Sequence, residues 1–279
     1  KKRLPSIREI AIKFGNVDPI KDPIPVVPTI HYQMGGIPTN YYGQVVTQTP
    51  TGENKIVNGL YAIGECAATS VHGANRLGSN SLSEIVVFGK VAGEQAAEFA
   101  ATQQHGNTEA LAAKAEALIK QHLSLMDIDG TENPADIRNE LGMSMEAGVG
   151  IYRTEELMQG TIDKINELKA RYKKIKINDK SSVFNTDLLY AIELGYMLDV
   201  AEAMAHSAIN RKESRGSHQR LDGYEERDDV NFLKHTLPFY APEGAPTIDY
   251  SDVKITKSQP AKRVYGSEGE KQDEAKKNG

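Results

Sequence analysis

Between Asn107 and about Lys212 the chain carries four consecutive stretches whose apolar residues recur at helical spacing, and a segment of that kind has few ways to fold. "EALAAKAEALIKQHLSLM" (109–126) is amphipathic by this criterion. "NPADIRNELGMSMEAG" (133–148) begins with Asn133 in the N-cap position and Pro134 at the first helical position, where its missing amide is not needed. A third helix opens at Thr154 with Glu155 and Glu156 in its first turn and ends in the basic "KARYKKIK", so its charges complement the helix dipole at both ends. The fourth runs from Thr186 through "DLLYAIELGYMLDVAEAMAHSAINRK", with Met197, Ala201, Ala205 and Ala208 on one face. Antiparallel helices of this kind bury one another's apolar stripes, which predicts a helical bundle.

The flanks follow another pattern. Pro19, Pro23, Pro25 and Pro28 punctuate "VDPIKDPIPVVPTI" (17–30), which should be extended and irregular, a connection into a domain. From "HYQMGGIPTN" to "IVNGLYAIGE" short β-rich runs alternate with Gly, Pro and Asn turns; "GLYAIG" reads as a buried strand, and a helix begins near Ser81. After Arg215 the chain is polar and turn-rich, with a strand expected in "YSDVKIT" (250–256). The last stretch, "SEGEKQDEAKKNG", has almost no apolar content and is expected to be disordered. The fold class is therefore α+β and multi-domain.

The chain's 279 residues suffice for one or two domains with a sizeable core. A net charge of −5 and the lack of a basic stripe interleaved with aromatics argue against a nucleic-acid partner. The single cysteine, Cys66, can form no internal disulfide, which fits a reducing compartment, and it cannot hold an iron–sulfur cluster, which needs several thiolates. Any such cluster would sit on another chain. No apolar run is long enough to span a bilayer. The N-terminus "KKRLPSIREI" lacks both the apolar core of a signal peptide and an initiator methionine, so a fragment or a processed chain is expected.

The stretch "HGANRLGSNSLSE" (72–84) concentrates the chemistry. Ser81 and Glu84 have capping-box spacing ahead of Ile85, Val86 and Val87, and Gly89, Ala92, Gly93 and Ala96 form a small-residue face that lets the helix approach another backbone. The helix N-terminus then offers amides and a positive dipole end to an anion. Arg76 presents a planar, permanently charged fork suited to a carboxylate, and Gly73 and Gly78 let the backbone come near a flat ligand. Two readings stay open: an acidic ligand held beside a cofactor oxygen, or an arginine pinning its own loop to local carbonyls. Glu65, at the end of "GLYAIG", is either an acceptor for a cofactor hydroxyl or simply a polar residue at a strand end; His31 is either a ligand-binding or a packed histidine. Cys66 reads as a small buried thiol, and His72 as a residue that orders the Arg76 loop. Arg211, Glu213, Arg215, His218, Arg220 and Asp222 read as an ion-pair network at the end of the long helix.

Taken together, "HYQMGG", "GLYAIGECA", "HGANRLGSNSL" and "RKESRGSHQRLD", in this order, resemble the flavoprotein subunit of succinate dehydrogenase and fumarate reductase. The resemblance extends through "ERDDVNFLKHTL" to "PAKRVYG", and the whole chain looks like that subunit's C-terminal half. It implies that residues 1–30 end a capping domain, 31–104 form the C-terminal part of a Rossmann-like FAD-binding domain, 105–213 a helical bundle, 214–266 a small C-terminal domain and 267–279 a disordered tail. Carried over by position, His31 and Arg76 would hold the dicarboxylate, Glu65 would contact FAD, and the helix start at Ser81 and Leu82 would face the isoalloxazine edge. A helix dipole aimed at the flavin would stabilise the negative charge that reduction leaves there, and Arg76 with His31 would hold the substrate C–C bond for hydride transfer. The ion-pair cluster would join the bundle to the flavin domain.

The resemblance further implies interconversion of succinate and fumarate, electrons exchanged with an iron–sulfur partner subunit and quinone, and membrane association through anchor subunits. The chain would lie on the cytoplasmic face of the membrane, or the matrix side in a eukaryote. Departures are as informative. No Gly-x-Gly-x-x-Gly follows a strand, since "EAGVGIYR" lacks the final glycine, and neither the histidine that can carry flavin covalently nor the capping-domain arginine that moves the proton has a counterpart. Unaided binding of FAD or turnover is therefore not expected. An L-aspartate oxidase-like enzyme and a non-catalytic docking module are the competing readings. Direction stays open: "GSNSLSE" and "FNTDLLYAIELG" look closer to fumarate reductases, "GQVVTQTPTGENKIVNG" to succinate dehydrogenases.

Overall fold

The computed structural model describes residues 3–27, 29–47, 49, 54–104, 106–257 and 259–261. Pro28 and the tail 267–279, on which two expectations bear, lie outside these residues. The architecture is mixed α+β, with six α-helices and small two-stranded sheets among the described residues.

The chain enters through a helix that sequence reading missed, α1 (Pro5–Gly15), opened by Pro5 and closed by Asn16 in the left-handed region. Arg8 anchors the turn beyond it through two bonds to Asp18, at 2.9 and 2.7 Å. Residues 23–27 then run without regular structure, as the prolines require. Strand β1 (Ile37–Pro38) pairs in parallel with β4 (Ala67–Ala68), and β2 (Gln44–Thr47) pairs antiparallel with β3 (Lys55–Tyr61). The buried strand expected at "GLYAIG" is corrected: β3 ends at Tyr61 and is largely exposed, with Leu60 at 51%. Among the described residues it pairs with β2 alone, and most of its side chains stay exposed.

Helix α2 (Asn80–Thr102) lies against this region. Its small-residue face does what was expected at Ala92, which is buried against Gly43; a Cβ at Gly43, whose φ is +74°, would stand 2.5 Å from the Ala92 methyl.

The bundle core is built from α4 (Pro134–Val149), α5 (Glu155–Tyr172) and α6 (Thr186–Asn210). Ile137, Met158, Ile165, Leu168, Leu194 and Leu198 are all at most 1% exposed in one continuous cluster. Asn133 caps Ala135, Thr154 caps Leu157 and Asn185 caps Leu188, so each helix start is set by a local side chain. Helix α3 (Thr108–Leu123) forms where its pattern predicts, capped by Asn107, yet buries no residue. Its alanine-rich stripe is too slight to claim a place in the core, and it meets α6 through His122 Nε2 and Tyr196 Oη at 3.1 Å. On α6, Ala201, Ala205 and Ala208 are buried as expected, but Met197 is 36% exposed.

Beyond the bundle, β5 (Tyr152–Arg153) pairs in parallel with β6 (Gln219–Arg220), and β7 (Lys234–Phe239) forms a hairpin with β8 (Thr247–Asp252). The strand expected at 250–256 is thus displaced toward the N-terminus, because its register is set by β7. No helix among the described residues is long and apolar enough to cross a membrane.

Candidate active-site loop

The loop that carries Arg76 is bracketed by two non-glycine residues in the left-handed region, Ser70 with φ 67° and Ser79 with φ 69°. Each such residue costs on the order of 1 kcal/mol, and the conformation persists only where the surroundings hold it. Two sets of contacts do so.

The first is Glu84, on the opening turn of α2. The capping box expected between Ser81 and Glu84 does not form: Ser79 occupies the N-cap position, and its side chain makes no capping bond. Glu84 instead turns inward, 4% exposed, and receives three donors. Tyr32 Oη donates to Oε2 at 2.9 Å, Thr69 Oγ1 donates to Oε1 at 3.2 Å, and His72 Nε2 lies 2.5 Å from Oε2. Tertiary partners outcompete the local cap because a buried carboxylate left unpaired would be far more costly than an exposed helix start left uncapped. Burial, and next the bond to Glu84, push the Tyr32 phenol up to about 12, so it remains a hydrogen-bond donor.

Tyr32 in turn supports Arg76. The guanidinium carbon stands 4.7 Å from the centre of the Tyr32 ring, and His72 meets the same ring edge-on at 5.3 Å. Among the described residues Arg76 makes one hydrogen bond, from Nη1 to the Leu77 carbonyl at 3.3 Å, and its buried Nε has no partner. That one bond ties the arginine to its own loop, the Tyr32 ring packs against its guanidinium, and most of its fork is unused among the described residues. His72 orders this loop, as expected, and its Nδ1 is likewise buried without a partner.

The second set of contacts comes from the segment after the bundle. The Ser217 amide and hydroxyl both donate to the Ala74 carbonyl, at 3.3 and 3.1 Å.

The remaining site residues are placed as follows. His31 is exposed beside the anchored Tyr32. The Gln33 amide donates to Glu65 Oε1 at 2.9 Å, which ties the "HYQ" segment to Glu65. Ser81 is half-buried and Leu82 is 63% exposed on the first turn of α2. Tyr32 and Gln33 therefore bring the His31 segment, Glu65, the Arg76 loop and the start of α2 to one place. Sequence reading overlooked Tyr32 and Thr69 and misassigned Glu84. Tyr32 sat inside a quoted motif, but nothing local signals a bond across 52 residues.

Two expectations need correction. Cys66 is exposed rather than buried, its thiol 3.3 Å from the Ile63 carbonyl, because it sits on a 3-10 turn at the surface. The charges of the ion-pair cluster do not themselves reach the Arg76 loop. Glu213, fully buried, takes Arg211 at 2.7 Å and Arg215 at 2.8 Å, and Arg211 continues to the Thr236 hydroxyl at 2.9 Å. These charges bind the end of α6 to β7; the links to the Arg76 loop run through uncharged Ser217 and through His235 Nε2 on β7, 3.4 Å from Ser70 Oγ. No group of His, Cys, Asp and Glu among the described residues could hold a metal ion.

Comparison with known proteins decides the family. Residues 138–265 match the family described as fumarate reductase flavoprotein C-terminus, and residues 1–82 match the FAD-binding domain family. Fumarate reductase flavoprotein subunits of Serratia sp. and Escherichia coli are 59% and 58% identical to it over 278 and 274 residues, 99% and 98% of this chain and 45% and 44% of theirs. The chain belongs to the fumarate reductase/succinate dehydrogenase flavoprotein family. It spans less than half the length of the curated relatives it matches. A solved structure of E. coli quinol fumarate reductase superposes with a TM-score of 0.84 at 58% identity, covering 95% of this chain and 44% of that one. The succinate dehydrogenase flavoprotein subunit of Rickettsia bellii is 44% identical over 273 residues, 94% of this chain and 45% of its own.

The flavoprotein's FAD-binding match contains His31, Glu65, Arg76, Ser81 and Leu82. Among the described residues the unpartnered donor Arg76 Nε, the start of α2 without a side-chain cap and the Glu65 oxygen not taken by Gln33 fit an anionic, hydroxyl-bearing cofactor and an acidic ligand meeting at this loop.

Proposed function

We propose that this chain forms the substrate-facing portion of a flavoprotein that interconverts fumarate and succinate. Arg76 and His31 bind the dicarboxylate, while Glu65 and the first-turn amides at Ser81 and Leu82 contact FAD. One observation carries the reading: Arg76 is stacked on Tyr32 with a buried, unpartnered Nε and most of its fork unused. A buried donor without a partner is costly, and a carboxylate oxygen satisfies it with a charge-assisted bond.

FAD, when bound, supplies the two-electron exchange. The chain's own residues hold and orient. Arg76 fixes one substrate carboxylate by fork geometry, His31 contacts the same end, and the positive end of the α2 dipole favours negative charge developing beside it. The division into a cap end (1–30), a flavin-domain part (31–104), a bundle (105–213) and a C-terminal unit (214–266) belongs to the same proposal. The finer placement of the first part within a Rossmann-like domain does too.

An iron–sulfur subunit is the proposed electron partner; the single cysteine of this chain supplies no thiolate set for a cluster of its own. Membrane association is proposed to be indirect, through anchor subunits, on the cytoplasmic or matrix side. Higher identity to fumarate reductase flavoproteins than to succinate dehydrogenase ones, 59% against 44%, favours fumarate reduction.

The test is fumarate reduction by a reduced dye in the full-length flavoprotein, wild type against Arg76→Lys, with flavin content measured in parallel. Loss of turnover at normal flavin content supports the proposal, since lysine keeps the charge and loses the fork. Unchanged turnover removes Arg76 from the substrate.

A further inference from the structure

The proposed ligand-binding arginine has almost no hydrogen bonds of its own to hold it. Its only described bond is to the adjacent Leu77 carbonyl, at 3.3 Å, and its position is set by the Tyr32 ring beneath it. The plane of that ring is in turn fixed by the phenol's bond to Glu84 Oε2, while His72, on the same carboxylate oxygen, packs edge-on against the ring. Thr69 occupies the other oxygen, so both oxygens of the buried carboxylate are engaged.

We infer that Glu84 is a positioning residue for the dicarboxylate: through Tyr32 and His72 it presents the Arg76 guanidinium to the substrate carboxylate. The inference rests on the proposed role of Arg76. Glu84 is chemically suited to this role in a way glutamine is not. An ionised carboxylate accepts on both oxygens and takes three donors at once; an amide offers one acceptor oxygen and turns two N–H donors toward Tyr32, Thr69 or His72. Glu84→Gln therefore loosens the Tyr32–His72 pair without removing volume. Because Arg76 rests on that pair, its fork leaves the geometry that bidentate recognition needs.

The inference is tested by equilibrium binding of malonate, an unreactive dicarboxylate, to the full-length flavoprotein, followed by the perturbation of flavin absorption. Four proteins make a cycle: wild type, Glu84→Gln, Arg76→Lys and the double variant. Glu84→Gln should weaken malonate about 10-fold in the wild-type background and less than about 2-fold once Arg76 is lysine, because the fork it positions is already gone. An effect of full size in both backgrounds, or none in either, overturns the inference while leaving Arg76 as a ligand. Unchanged binding by Arg76→Lys alone overturns the underlying reading instead. If Glu84→Gln fails to assemble with flavin, Tyr32→Phe, which deletes only the tethering hydroxyl, replaces it in the cycle. It must then show the same dependence on Arg76 for the inference to stand.

Discussion

Ser217 donates twice to the carbonyl of Ala74, through its amide at 3.3 Å and its hydroxyl at 3.1 Å, across 143 residues of sequence. This contact fastens the segment after the bundle to the loop that carries Arg76. Gly216 makes it possible: its φ is +59°, and a Cβ there would lie 2.6 Å from the Ala74 carbonyl carbon.

Gly216→Ala is accordingly expected to fail on two counts, backbone strain and a clash with backbone that cannot move aside cheaply. The cost should be about 2 kcal/mol or more, read as a lower denaturation midpoint of the full-length flavoprotein. Ser217→Ala, which keeps the amide bond, should cost about 1 kcal/mol. Equal stability of Gly216→Ala and wild type would show that the two segments are not locked together.

Glu213 is fully buried between Arg211 and Arg215 and also accepts the Asp228 amide at 2.8 Å. Glu213→Ala leaves two largely buried arginines without their shared counter-charge. A loss of about 3–5 kcal/mol is expected in chemical denaturation. A loss below about 1 kcal/mol, the range of exposed pairs, would contradict the network's structural role.

His218 Nδ1 accepts from Arg153 at 2.7 Å and Nε2 donates to the Arg211 carbonyl at 2.9 Å, which fixes a neutral ring. Burial is the main cause that lowers its pKa from 6.5 to about 4, with the charges of Arg153, Arg220 and Arg211 adding to it against the opposing carbonyl bond. The unfolded chain therefore binds a proton that the folded chain refuses between these values. The associated stability is full above pH 6.5 and is lost as pH falls toward 4, by about 2–3 kcal/mol. His206 and His235, lowered by burial, act in the same direction. His218→Gln can keep both bonds without titrating, so its stability should fall less over that window; slopes identical to wild type would contradict the assignment.

In the bundle, Leu168→Ala should cost about 2–5 kcal/mol, since the side chain is completely buried. Leu111→Ala on α3, where the leucine is 63% exposed, should change stability by no more than about 0.5 kcal/mol. Thermal denaturation of the two variants distinguishes the three-helix core from a bundle that includes α3.

Features fixed by neighbours in sequence were legible, and those fixed by distant partners were not. Asn133 with Pro134, and Thr154 with its glutamates, each set a helix start within three residues, and each start lies where the pattern placed it. Glu84 was misread because Ser-x-x-Glu spacing describes a local bond, whereas its actual partners, Tyr32, Thr69 and His72, are 52, 15 and 12 residues away. β3 was misread because apolar residues foretell burial only where something packs on them. The role given to Arg76 came from the order of motifs; its stack on Tyr32 could come only from the fold.

The most direct measurement is a crystal structure of the complete flavoprotein with fumarate bound. A substrate carboxylate oxygen is expected about 2.7–3.2 Å from Arg76 Nε or Nη, with the guanidinium still over the Tyr32 ring. A fumarate bound elsewhere, with the Arg76 fork turned onto protein carbonyls, would contradict this expectation.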